Sequence, residues 1–123
     1  MAEYRTVQEI RDTMADLEQT LRDGLLADST RVMSEKATEA MAIVDGMLQA
    51  LRDGASVGGG DRQDHSTENL LKAAERALTF AWNRGEKVAL GTSTEDMRAR
   101  ILDFKTYADF ANAYVSAALG TEL

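Results

Sequence analysis

Neither proline nor cysteine occurs anywhere in these 123 residues. An average chain of this length carries roughly six prolines, and proline breaks helix interiors and marks turns. Its absence suits long helices stopped by glycine. Without cysteine there is no disulfide, no thiolate nucleophile and no Cys-held zinc or iron–sulfur centre. Aromatics are scarce too. There are seven, and six of them (Phe80, Trp82, Phe104, Tyr107, Phe110, Tyr114) fall after residue 79. The first half must therefore pack with Leu, Met, Ile, Val and Ala, which fill a helix–helix seam well but form a thin core alone.

Long apolar runs are missing as well. No stretch approaches the roughly 20 residues that cross a bilayer, and no signal-type apolar segment follows Met1–Arg5. The expectation is a cytoplasmic product with no membrane partner. Excess positive charge is also lacking: 21 acids against 14 bases give a formal charge of −7. Nucleic-acid binding rests on neutralising phosphates with Lys and Arg. Here the bases are scattered and mostly sit beside acids, as in Arg11-Asp12, Arg22-Asp23 and Arg52-Asp53. Protein is the expected partner, and nucleic acid is not expected as the main ligand.

What is present is helical periodicity, and it predicts a mainly α fold. From about Thr6 to Asp23, Val7, Ile10, Met14, Leu17 and Leu21 recur at alternating spacings of three and four. That is the narrow stripe by which one helix lies along another. Thr6 and Glu9 form a capping box, and Gly24 stands where a left-handed stop is expected. A second stripe, Met33, Ala37, Ala40, Val44, Met47 and Leu51, begins after Asp28 or Ser29, either of which can cap it. It ends at Leu51-Arg52-Asp53-Gly54, which repeats the stop chemistry of Leu21-Arg22-Asp23-Gly24. Residues 1–54 thus read as an antiparallel helical hairpin, since the link between the helices is short.

Four glycines between positions 54 and 60, then polar residues to His65, read as a flexible linker over residues 55–65. Residues 66–123 read as a helix, an extended segment and a helix. The first runs from near Ser66 to a stop at Asn83-Arg84-Gly85. The stretch 86–92 suits a short strand or a connector. Thr92 to Asp96 suits a helix start or a hairpin tip, and Met97 to Leu102 a helical turn or a return strand. The last helix covers about Asp103 to Leu119. Its run Phe104, Tyr107, Phe110 and Tyr114 is expected to form the C-terminal core with Trp82, although tyrosine hydroxyls reaching outward would also suit an interface. Met14, Met33, Met41 and Met47 are expected as core filler.

Catalytic constellations are hard to assemble from this material. His65, the lone histidine, falls in the linker, where it is expected to be solvated. Asp12/Asp16 and Glu35/Glu39 are i,i+4 acid pairs, which usually mark a solvated face. Gly58-Gly59-Gly60 lacks the Lys-Ser/Thr ending of a phosphate loop. No metal, cofactor or catalytic residue is expected. A weak hairpin of two striped helices should need company to stay dry. The interface candidates are therefore Val7, Ile10, Met14, Leu17, Leu21, Val44, Met47 and Leu51, burying partly against another chain in a homo-oligomer.

From residue 68 onward the layout is a helix, Asn83 to Leu90, a polar turn, Met97 to Phe104, then a helix. This resembles the lambda-type head-to-tail joining proteins of tailed phages, which pair helices with a β-hairpin. The resemblance covers about half of the chain and rests on layout. It implies a ring-forming virion protein at the portal with no catalytic residues. Residues 98–100 lack the β-branched side chains a strand prefers, and residues 1–60 have no counterpart there. Three function classes stand at this point. They are a structural or adaptor subunit that assembles through helical faces, a small binding module or assembly chaperone with a helical groove, and an enzyme with an unrecognised carboxylate site.

Overall fold

Thr6 caps the first helix, where the sequence puts the cap. In the computed structural model, which describes residues 6–55 and 65–120 apart from the His65 side chain, helix α1 spans Val7–Leu26. The Thr6 hydroxyl accepts from the Glu9 N–H and donates to Glu9 Oε1, both at 3.2 Å. Helix α2 spans Thr30–Arg52. Its cap is Ser29, whose Oγ accepts from the Val32 N–H at 3.2 Å. Each cap satisfies a backbone donor that the helix itself leaves free.

The glycine stops divide into two kinds. Gly54 is a true stop with φ +86°, a left-handed conformation that favours glycine. Gly24 is not a stop, because α1 runs two residues past it. A Cβ there would lie 3.2 Å from Ile101 Cδ1 and 3.3 Å from Lys36 Cβ, so this glycine serves close packing.

Helix α3 spans His65–Val88 and therefore passes through Asn83-Arg84-Gly85 without stopping. Here too the glycine is a packing residue. A Cβ on Gly85 would meet Met41 Cγ and the Phe104 ring, each at 2.6 Å. Helix α4 spans Thr94–Ala118. The Ser93 Oγ accepts from the Asp96 N–H at 3.0 Å, and Asp96 Oδ2 accepts from the Thr92 N–H at 3.1 Å.

The extended or β-hairpin segment expected over residues 86–102 is thus corrected. Those positions hold the end of α3, a link and the first turns of α4, and there is no strand among the described residues. The physical reason is local. The Ser93–Asp96 cap fixes a helix start, and Met97, Ile101, Phe104 and Ala108 then fall on one buried face at helical spacing. The β-hairpin of the layout likened to head-to-tail joining proteins is absent among the described residues. His65, expected in the linker, is the first residue of α3. Ala55, at the start of the predicted linker, is buried, and residues 56–64 lie outside the described residues.

The helices pack in sequence order around a ring: α1 on α2, α2 on α3, α3 on α4 and α4 back on α1. Helices α2 and α4 also meet across the centre, whereas α1 and α3 do not touch. Neighbours run antiparallel. Arg11 bonds Ser116 near one end of the α1–α4 seam and Arg98 bonds Leu25 near the other. The result is an up-down-up-down four-helix bundle. The two predicted halves share one hydrophobic core, with Leu17, Met33, Met47, Leu78, Ile101 and Phe104 fully buried in it.

Candidate functional site

Alanine decides where the aromatic rings go. Buried Ala74, Ala77 and Ala81 lie on α3 and buried Ala111 on α4. Small side chains let two helix backbones approach closely, and this is the most extensive helix pair in the bundle. The rings one step around each helix turn outward.

Phe80 is 51% exposed, Phe110 52% and Tyr114 38%. Tyr107 is half-buried between them. With Ala73, Arg76 and Ala77 these rings line an open groove of about 260 Å³ on the outer face of α3 and α4. The expectation of an aromatic C-terminal core is corrected accordingly. Phe104 alone of that run is fully buried, and Trp82 is half-buried.

The rings stack against one another. Phe80 and Tyr107 lie 5.6 Å apart between centroids, and Tyr107 meets Phe110 edge-on at 6.2 Å. The Arg84 guanidinium sits 5.5 Å over the Tyr107 ring and pairs with Asp103 at 3.4 Å. A cation held over a ring in this way fixes the ring's orientation. Arg76 is the one charged side chain lining the groove, and among the described residues it has no ion pair or side-chain hydrogen bond.

The eight predicted interface residues lie elsewhere. Val7, Ile10, Met14, Leu17, Leu21, Val44 and Met47 are buried within this chain's own core, and Leu51 is half-buried against it. The edges expected to need a second chain are covered by α4 and α3 of the same chain, because residues 66–118 fold back along them.

The predicted acid pairs are spread over solvated helix faces. Glu35 pairs with Arg31 at 2.9 Å, Glu39 with Lys36 at 3.2 Å, and Asp12 accepts from Gln8 at 2.9 Å. Among the described residues, no three His, Cys, Asp or Glu side chains come together as a metal-holding group. A second open cleft, lined in part by Leu51, Gly54, Leu71 and Lys72, adjoins the ends of α2 and α3. No helix among the described residues is long and apolar enough to cross a membrane.

Sequence reasoning named the aromatic residues but placed them inside. The signal that could have turned them outward was the alanine stripe beside them. It sets the helix spacing, and a run at 104, 107, 110 and 114 is wider than one buried stripe. Comparison with known protein families, with characterised proteins and with solved structures returns no match.

Proposed function

We propose that this chain is a non-enzymatic adaptor that docks another protein on the aromatic groove between α3 and α4. The observation that supports this most is a contiguous set of outward rings on a bundle whose core is already filled. Single exposed apolar residues are ordinary, but a mutually packed cluster of them marks an interaction surface. Phe and Tyr also dominate interface energetics when they are buried by a partner. The groove's chemistry is carbon, ring faces and one guanidinium, which suits recognition better than proton transfer.

On this reading the interface lies on α3 and α4 rather than on the stripes of α1 and α2. It favours the binding-module class over an obligate assembly, since the need of those stripes for company is met internally. Photo-crosslinking in the cells that make the protein tests it, with p-benzoylphenylalanine replacing Phe110 or, as a control, Asp16 on α1. Protein adducts at position 110 and none at 16 are expected. Equal adducts at both positions, or none at either, overturn the reading.

A further inference from the structure

Charge is unevenly spread over this acidic molecule. Helix α3 carries four bases (Lys72, Arg76, Arg84, Lys87) against three acids, and it is the one helix with more bases than acids. Helix α1, diagonally opposite in the bundle, carries five acids against two bases. Most bases elsewhere are engaged: Arg22, Arg31, Lys36, Arg100 and Lys105 all hold carboxylates. On α3, only Arg84 does so. Among the described residues, the side chains of Arg76 and Lys87 make no ion pair or hydrogen bond.

These two free bases share one edge with the rings. Arg76, Phe80 and Lys87 are spaced by four and seven residues, so they line up along the outer side of α3. Arg76 and Lys87 stand eleven residues apart, three helical turns or about 16 Å along the axis. The groove floor of Ala73 and Ala77 lies beside Arg76, walled by Phe80 on α3 and by Phe110 and Tyr114 on α4, and Lys87 stands further along α3, past the Phe80 end. A trough between two antiparallel helices, apolar in the middle and cationic along one rim, is the complement of an amphipathic helix with an acidic edge.

Two faces of a second copy fit that complement poorly. Its α1 face has the acids but no apolar stripe, since Val7, Ile10, Met14, Leu17 and Leu21 all point inward. Its α3–α4 face has the apolar surface, but Asp103 and Asp109 there are engaged by Arg84 and Lys105.

We infer that the groove takes an amphipathic α-helix of a different protein. That helix places apolar anchors at spacings of three and four over Phe80, Phe110 and Tyr114, with carboxylates about three turns apart that pair with Arg76 and Lys87. The inference rests on the docking reading above and adds the charge and geometry of the occupant. Arg84 stays with Asp103 and Tyr107 and orders the rings, while Arg76 and Lys87 read the partner's charge.

The test uses the full chain and two fluorescein-labelled, alanine-based helical peptides of about 18 residues. Both carry leucines along one edge. One has glutamates eleven residues apart beside that edge, and the other has lysines there. Fluorescence anisotropy at low salt should show at least tenfold tighter binding of the glutamate peptide, and raising the salt should narrow the gap because exposed charges are screened. In Arg76→Glu/Lys87→Glu the preference should reverse. In Phe110→Ala both peptides should weaken together. All these positions are exposed, and a cooperative thermal transition confirms that each variant is folded. Arg76→Gln serves as a milder variant and should lose part of the preference without reversing it.

Equal affinity for the two peptides, no binding of either, or a glutamate preference that survives charge reversal overturns the proposal. So does self-association in sedimentation velocity that Phe110→Ala abolishes, since the occupant would then be a second copy. Crosslinks at position 110 without charge discrimination would remove this inference and leave the docking reading standing.

Discussion

Arg98 closes the end of α1 that the helix cannot close for itself. Its Nε donates to Leu25 O at 2.9 Å and its Nη2 to Ala27 O at 3.2 Å, so one guanidinium holds two carbonyls at a helix end. Hydrogen bonds to charged groups contribute about 1.5–3 kcal/mol each at most. These are partly buried and share one donor group, so Arg98→Ala is expected to cost about 2 kcal/mol in urea unfolding, with the slope unchanged. Asn112 offers the opposite case. Its Oδ1 is buried on the α1–α4 seam without a hydrogen-bond partner among the described residues. Leaving such an atom dry costs about 1–3 kcal/mol, so Asn112→Met should raise stability by about 1 kcal/mol in the same assay. Neither effect was legible in the sequence. Arg98 fell in a stretch open to strand or helix, and no local pattern says that an arginine will reach a helix end more than seventy residues away.

At the scale of the helices, the sequence was most legible where short-range chemistry decides. The Thr6 box, the Ser29 cap and the Gly54 stop all stand where capping rules put them. Two glycines misled because a stop and a close approach call for the same residue. The structure separates them by what a methyl group would meet. Gly24→Ala gains helix propensity worth about 1 kcal/mol and pushes on neighbours at 3.2 and 3.3 Å that need to give only a little, so it should be near neutral. Gly85→Ala gains the same propensity but drives a Cβ into the Phe104 ring at 2.6 Å. Overpacking costs about 1–3 kcal/mol, so this substitution should destabilise, and thermal melts of the two variants should differ in sign or clearly in size. The region 86–102 was ambiguous because α4 carries large apolar side chains both inward and outward, which blurs its stripe. Its start rests on Ser93, and Ser93→Ala should cost about 1 kcal/mol.

Over the whole molecule, the sequence supplied the helices but not their closure. The stripes of α1 and α2 were visible, yet their coverage by α3 and α4 depends on contacts between halves separated by a glycine-rich stretch, which periodicity cannot report. The same gap hid that those stripes are buried within the chain itself. Burial and exposure now separate the two roles. Phe104→Ala should cost about 3–5 kcal/mol as a core cavity, while Phe110→Ala should cost less than about 1 kcal/mol, since one edge-on ring contact and a half-exposed face are all it removes. The most direct test of the account is the thermal unfolding midpoint of the unmodified chain at two concentrations a hundredfold apart. A bundle that fills its own core unfolds at the same temperature at both concentrations. A midpoint that climbs with concentration, as linkage demands of an obligate oligomer, would contradict it.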